Sequence, residues 1–184
     1  MSKLSATAWL AHNIGLGASF GGVLFGKVAL NPKLATLESE SERGKLLNTV
    51  WNRYNVVNAA AYATTVATWF PGRLGLSGAE IDGTTRKLVL AKDALLVLGA
   101  ITGGASMLQG RALAAQGSDG AVPIRTGTTP SANTPEKAAA LLRSVNLLGN
   151  ANIAITGGVL GITSILAMKA SESGTFSAVS RFLP

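Results

Sequence analysis

Two ionisable side chains with the potential for chemistry lie inside long apolar stretches of this sequence. His12 is the chain's only histidine, and Asp93 lies in the apolar stretch from Leu88 to Leu108. An ionisable group inside a membrane-spanning segment costs free energy, so each is a functional candidate by default. Both residues lie within about two turns of the start of their helices on the same side of the predicted membrane. One hypothesis is a His12–Asp93 contact that ties the two repeats together, and the alternative is an Asp93 that is solvated or bound by a partner. Neighbouring Lys92 is expected to extend toward the lipid headgroups.

Asparagines form a second group of candidates, in the second and last apolar stretches. Amides inside membrane helices either line a polar cavity or hydrogen-bond between helices, at about 0.6–2 kcal/mol per contact. The sequence leaves both readings open, and we favour interhelical hydrogen bonding because it requires no ligand. The intramembrane asparagine candidates are Asn52, Asn55, Asn58, Asn150 and Asn152.

Basic residues near the predicted membrane boundary indicate a lipid interface. They either hold anionic headgroups or mark the boundary itself. Nucleic acid is not an expected partner, because the basic residues behind the net charge of +7 are spread along the chain without clustering or aromatic interleaving. The anionic-lipid candidates are Lys27, Arg53, Arg111 and Arg143.

The composition excludes several kinds of site. The chain has no cysteine and a single histidine, which removes thiolate metal sites, iron–sulfur clusters and cysteine nucleophiles. Phosphate-binding loops, nucleophile elbows and zinc-protease motifs are also missing from the sequence. We therefore predict a protein that is not an enzyme, with no catalytic residue, no metal site and no cofactor, and with cofactor-binding residues left unassigned.

The elements that must position these residues are membrane helices. Hydrophobic residues make up 47% of the chain and charged residues 14%, with a mean hydropathy of +0.34. Apolar stretches near 20 residues suit a hydrocarbon core of about 30 Å. We predict an all-α fold, an integral membrane four-helix bundle forming a single domain over 1–184. Its transmembrane helices are expected at about 9–30, 48–70, 88–108 and 146–168.

The connections between these spans are predicted from their polarity. Residues 31–47 read as a charged connection, with the next helix starting near Ser41, while 109–133 read as a flexible loop in which deletion of Ser118 to Ser131 should leave folding intact. Thr134-Pro135-Glu136 is typical of a helix start, and 169–184 reads as a polar C-terminal tail. Because His12-Asn13 interrupts the first apolar run, we expect no cleaved signal peptide. Location in a plasma (inner) membrane is expected.

Glycines spaced four apart predict close helix packing. Small residues at this spacing let membrane helices approach each other, where the hydrophobic effect between helices is missing. The helix-packing candidates are Gly17, Gly21, Gly22, Gly26, Gly99, Gly103, Gly104, Gly157 and Gly161.

The two halves of the sequence resemble each other. The glycine stretch from Gly17 has a counterpart from Gly99, and Leu46-Leu47 followed by Asn55 has a counterpart in Leu141-Leu142 followed by Asn150. This pattern predicts two tandem parallel helical-hairpin repeats.

Two functions fit this reading. The leading prediction is a non-catalytic accessory or scaffold subunit of a larger membrane complex, whose partners are anionic lipids and other membrane subunits or copies of itself. The alternative is a small transporter or channel that uses an asparagine-lined repeat interface. A transporter requires a water-accessible path near Asn55, Asn58 and Asn152, whereas a scaffold is expected to be tightly packed there.

Overall fold

Four long helices account for most of the chain. The structure, a computed structural model, describes residues 3–74 and 82–172. Within these ranges the long helices are α1 (Lys3–Phe25), α2 (Glu40–Leu74), α3 (Gly83–Ala114) and α4 (Glu136–Glu172). The prediction of a mainly helical chain is confirmed, and α2 and α4 begin within one or two residues of their predicted starts. The far end of the predicted tail, 173–184, lies outside the described residues.

Three of the helical stretches are long and apolar enough to cross a membrane. They are Thr7–Thr36, Gly83–Ala114 and Glu136–Lys169. The span predicted at 48–70 lies within α2, which is long enough but is not among the three, because asparagines and threonines reduce its hydropathy. Among the described residues, three of the four expected spans are thus apolar enough to cross a membrane, and the one within α2 is not. These three stretches point to a membrane protein.

The first helical stretch does not end at Pro32. It continues as a π-helical turn (Gly26–Leu30), one α-helical turn (Asn31–Lys33) and a 3₁₀ turn (Leu34–Thr36). The backbone N–H of Asn31 donates to the carbonyl of Gly26, which is the five-residue spacing of a π-helix. Proline clashes with the carbonyl four residues before it in a regular helix, so a widened turn just before Pro32 lets the helical path continue.

Helix α3 begins earlier than residue 88, because Asp82 caps it. One Asp82 carboxylate oxygen accepts the backbone N–H groups of Thr84 and Thr85, at 2.9 and 3.0 Å, and the other accepts the Thr85 hydroxyl at 2.6 Å. These bonds satisfy amide groups that the first helical turn leaves open. They hold the pKa of the Asp82 carboxyl well below its usual range. Residues 75–81 of the predicted 71–86 loop lie outside the described residues.

The chain divides into two compact units, and each long helix contributes to both. Unit 1 takes its described residues from Met1–Phe20, Ala59–Gly99 and Ile155–Pro184, and unit 2 from Gly21–Asn58 and Ala100–Ala154. The core of unit 1 is built from Leu16, Trp69, Val89, Leu96, Val159 and Leu166. The core of unit 2 is built from Leu34, Leu47, Leu113, Val122, Ile124, Ala138 and Leu142.

The segment between α3 and α4 is folded, which contradicts the flexible loop expected over 109–133. After a 3₁₀ turn at Ser118–Gly120, strand β1 (Ile124–Thr126) pairs antiparallel with β2 (Thr129–Pro130). Val122 and Ile124 are fully buried in the unit 2 core. The segment is poor in apolar residues, but these two lie two positions apart and face the same side of an extended chain. Two well-placed side chains were enough to anchor it.

Some of the predicted packing glycines make close contacts, and others do not. A Cβ on Gly22 or Gly26 would overlap Tyr54 or Trp51 in unit 2, and one on Gly99 would overlap Tyr62 in unit 1. Contacts at Gly103 and Gly157 are ordinary, with Asn152 and Phe20 respectively. The expectation is wrong within this chain for four positions whose Cβ would meet open space, namely Gly17, Gly21, Gly104 and Gly161. Glycine spacing identifies a smooth helix face but not what packs against it.

The buried segment provides a stability prediction. Replacing Ile124 with alanine should destabilise the protein by about 2–5 kcal/mol, because a fully buried side chain leaves a cavity in the unit 2 core. Replacing exposed Thr129 on the neighbouring strand is the matched control and should change stability by less than about 0.5 kcal/mol. Both are measured by equilibrium unfolding in detergent. Equal effects of the two substitutions would show that this segment does not contribute to the core.

Candidate functional site

A pocket lined by both polar and apolar side chains lies within unit 2. It encloses about 100 Å³ and is partly open. Its walls come from the end of the first helical stretch, from α2, α3 and α4, and from the turn between β1 and β2. The lining side chains that can form hydrogen bonds through an amide or ammonium group are Lys27, Asn31, Asn48, Asn55, Asn58, Asn146 and Asn152, together with Trp51. A pocket with so many convergent polar groups differs from an ordinary apolar helix junction.

Helical spacing explains which asparagines reach the pocket. Asn48, Trp51, Asn55 and Asn58 recur at intervals of three or four residues, so they share one face of α2. Asn52 lies on a different face and is exposed. On α4, Asn146 and Asn152 lie in the pocket wall, while Asn150 is exposed.

Lys27 is the only charged side chain among the described residues that line the pocket. It lies in the π-helical turn Gly26–Leu30, a type of turn that is found frequently at functional sites. Its ammonium donates to the Asn146 side-chain oxygen at 2.7 Å. A lysine ammonium has three N–H groups, so two remain after this bond.

Four of the six pocket asparagines have hydrogen-bond partners in the protein. Asn31 accepts from the Trp51 indole at 3.2 Å, and Asn48 donates to the Gly120 carbonyl at 2.8 Å. Asn146 accepts from Lys27, and Asn152 accepts from the Thr102 hydroxyl at 3.2 Å while donating to the Leu148 carbonyl at 3.0 Å. The bonds of Asn31, Asn146 and Asn152 to Trp51, Lys27 and Thr102 join different helical segments, whereas Asn48 bonds to the turn at Gly120. They also fix the walls of the pocket.

Asn55 and Asn58 are different. Neither forms a hydrogen bond with the described residues, and the Asn58 side-chain oxygen is buried without a partner. Buried polar atoms are nearly always paired, so an orphaned one requires an explanation such as water or a ligand. These two amides are the free hydrogen-bonding groups of the pocket.

The folded segment between α3 and α4 helps to form the pocket. Gly127 and Thr128 lie in its wall, and the Gly127 N–H donates to the Asn31 carbonyl at 3.0 Å. A Cβ on Gly127 would overlap the Asn31 side chain, and one on Gly44 would overlap the Val122 backbone. Glycine at both positions is therefore needed for the segment to approach this closely.

The sequence located part of this site. Of the predicted candidates, the structure brings together Lys27, Asn55, Asn58 and Asn152, but it leaves the side chains of Arg53, Arg111 and Arg143 exposed and outside the pocket. Sequence reasoning missed Asn31 and the turn at Gly127-Thr128, because both lie in segments assigned to connections. The π-helical turn has no sequence signal beyond the Asn31-Pro32 pair.

A second polar cluster lies in unit 1 and is sealed. His12 and Lys92 are both 0% exposed. His12 Nδ1 lies 3.0 Å from the Thr65 carbonyl and 3.2 Å from the Thr68 hydroxyl, so Nδ1 carries the hydrogen and donates to the carbonyl. The other ring nitrogen, Nε2, accepts from the Lys92 ammonium at 3.0 Å.

Trp69 completes this cluster. The Lys92 ammonium lies 3.5 Å from the centre of the Trp69 ring, a cation–π distance. The Trp69 indole N–H donates to the Asp93 carboxylate at 2.7 Å. Both His12 ring nitrogens are thus occupied by other groups, and the predicted His12–Asp93 contact is wrong. Neighbouring residues of a helix are separated by a rotation of about 100° around its axis. In α3 this rotation directs Lys92, rather than Asp93, into the core of unit 1.

The Lys92–His12 pair predicts strong coupling between two substitutions. His12→Leu should destabilise the protein because it leaves the buried Lys92 ammonium without its acceptor. Adding Lys92→Met should recover part of that loss, with a coupling energy of about 0.5–3 kcal/mol in an unfolding double-mutant cycle. Exposed Lys87 on the same helix is the control, since Lys87→Met should show no coupling to His12. A double variant equal to the sum of the singles would exclude the pair.

No protein-family model, curated protein or solved structure matches this chain. The geometry of the two polar clusters is therefore the basis for a functional proposal.

Proposed function

We propose that this chain is an integral membrane protein that admits and binds a small polar solute in the unit 2 pocket, in the manner of a small transporter or channel. The single observation that carries the proposal is the cavity in front of Asn55 and Asn58, whose amides have no partner in the described chain. Hydrogen bonds to other parts of the protein account for the other four asparagines but not for these two. The proposal assigns no catalytic step to the protein.

The proposed architecture is a four-helix membrane bundle made of two tandem repeats, with α2 as the fourth membrane helix. The duplication rests on the sequence match in which one constant offset aligns Leu46 with Leu141 and Asn55 with Asn150.

A plasma (inner) membrane location belongs to the same proposal, with anionic lipids at the exposed side chains of Arg53, Arg111 and Arg143.

An accessory or scaffold subunit is the second candidate function. It is favoured by one face of α1, where Gly17 and Gly21 meet open space and are flanked by Ile14 and Phe25, each 62% exposed. In lipid, a glycine pair of this spacing suits close approach by another membrane helix or a second copy. This reading requires no solute in the unit 2 pocket, so the two functions make different predictions for water access.

Water access can be measured with single cysteines, since the natural chain has none. Asn55→Cys should react with a charged, membrane-impermeant thiol reagent in vesicles, because it lines the pocket. Val56→Cys is the control, being next in sequence but 70% exposed on a face expected to contact lipid, and it should react at least about tenfold more slowly. The rates are followed by mass spectrometry. Unreactive cysteines at both positions would contradict the solute-binding proposal and favour the scaffold.

A further inference from the structure

We propose that the solute bound in the unit 2 pocket is a small phosphate-type oxyanion that also carries a hydroxyl group, with Lys27 as its recognition residue. This inference rests on the proposed function and adds the chemical class of the ligand. Two sources share this chemistry, namely free hydrogen phosphate and the headgroup of a lipid such as phosphatidylglycerol. The argument uses the charge, the hydrogen-bonding groups and the size of the pocket.

The charge of the lining side chains favours an anion. Lys27 provides one ammonium, and no acidic residue is present among the described residues that line the pocket. Its bond to Asn146 fixes the ammonium in the wall, and two N–H groups remain to donate. Lysine is a common phosphate ligand because its ammonium acts as a compact point charge. A cationic ligand would meet this ammonium without any carboxylate to offset the repulsion.

The unpaired amides of Asn55 and Asn58 require a ligand that both donates and accepts hydrogen bonds. The buried Asn58 oxygen is an acceptor without a donor, and the amide N–H groups of Asn55 and Asn58 are donors without an acceptor in the described chain. A ligand that satisfies them must both accept and donate. Hydrogen phosphate does both, with oxygens for the Lys27 and amide N–H groups and a P–OH for the Asn58 oxygen. A simple carboxylate near neutral pH has no donor.

The size of the pocket limits the ligand to a few heavy atoms. A cavity of about 150 Å³ holds benzene, and this pocket of about 100 Å³ is smaller and partly open. A phosphate group fits these dimensions. Three glycines in the wall leave space unfilled, since a Cβ there would meet nothing closer than 3.7 Å, and they are Gly103, Gly110 and Gly149.

Thermal unfolding of the purified full chain in phosphate-free detergent tests the inference. Sodium phosphate is compared with sodium chloride at equal ionic strength, and phosphatidylglycerol with phosphatidylcholine, which lacks the hydroxyls and adds a cation. Saturating phosphate or phosphatidylglycerol should raise the unfolding midpoint of the natural chain by at least about 4 °C. A response to phosphate identifies the free anion as the source, and a response to phosphatidylglycerol alone identifies the headgroup.

Variants of Lys27 show whether the response belongs to the pocket. Lys27→Gln should lose the ligand-dependent rise in unfolding midpoint, whereas Lys27→Arg should keep this rise because it retains the charge. Lys33→Gln is the matched control, because Lys33 is an exposed lysine of the same helical stretch, and it should respond like the natural chain. Circular dichroism establishes that each variant is folded. If Lys27→Gln does not fold, equilibrium dialysis replaces the thermal-unfolding comparison. It measures the binding of radiolabelled phosphate to the natural protein and to Lys27→Arg.

Two results would overturn the inference. One is a natural chain that responds to neither phosphate nor phosphatidylglycerol, and the other is a folded Lys27→Gln that responds as strongly as the natural chain. Cysteine labelling separates this failure from failure of the proposed function. If Asn55→Cys still reacts with the thiol reagent, the pocket is open and only the ligand class is wrong. If it does not react, both proposals fail.

Discussion

Polar groups buried within apolar helices must find partners, and the structure depends on how this chain satisfies that constraint. Water is not available in the hydrocarbon region of a bilayer, so an unpaired donor or acceptor there costs several kcal/mol. In the His12–Lys92 cluster of unit 1 the constraint is met by backbone and side-chain groups of the protein. His12 bonds to the Thr65 carbonyl and to Lys92, and Lys92 rests against the face of Trp69. The cluster is closed and buried.

In unit 2 the same constraint is only partly met. Partners hold Asn31, Asn48, Asn146 and Asn152 in place, and they leave Asn55 and Asn58 facing a cavity. The contrast with unit 1 suggests different roles for the two sets of polar residues. A sealed cluster stabilises packing and specifies which helix faces meet, whereas unpaired groups beside an open space suit a molecule that enters and leaves.

Close contacts between glycines and aromatic rings support this arrangement. Tyr54 and Trp51 pack onto the first helical stretch where Gly22 and Gly26 have no side chain. This lets Trp51 reach Asn31 with its indole N–H, and it keeps one wall of the pocket fixed. Bulkier residues at either glycine would push α2 away from Lys27. The packing of large rings against small residues is thus what sets the width of the pocket.

The sequence predicted correctly those features that depend on one helix alone, such as where a helix lies along the chain. Apolar stretches located the helices, and helix-start signals located the beginnings of α2 and α4. It was misleading for side-chain contacts that depend on how a helix is rotated, and for a segment whose folding depends on a few contacts distant in sequence. Composition could not show that Val122 and Ile124 anchor a folded segment. Neighbouring positions such as Lys92 and Asp93 differ by one rotation of about 100°, which no local pattern resolves without knowledge of the partner helices.

The central claim is that the unit 2 pocket holds a small ligand between Lys27 and the free amides of Asn55 and Asn58. An experimental structure of the full chain in lipid nanodiscs, at a resolution that shows ordered water, tests it most directly. The account predicts non-protein density within hydrogen-bonding distance of the Lys27 ammonium and the Asn58 amide. A pocket closed by protein side chains, with the Asn58 amide bonded to a neighbouring helix, would contradict it.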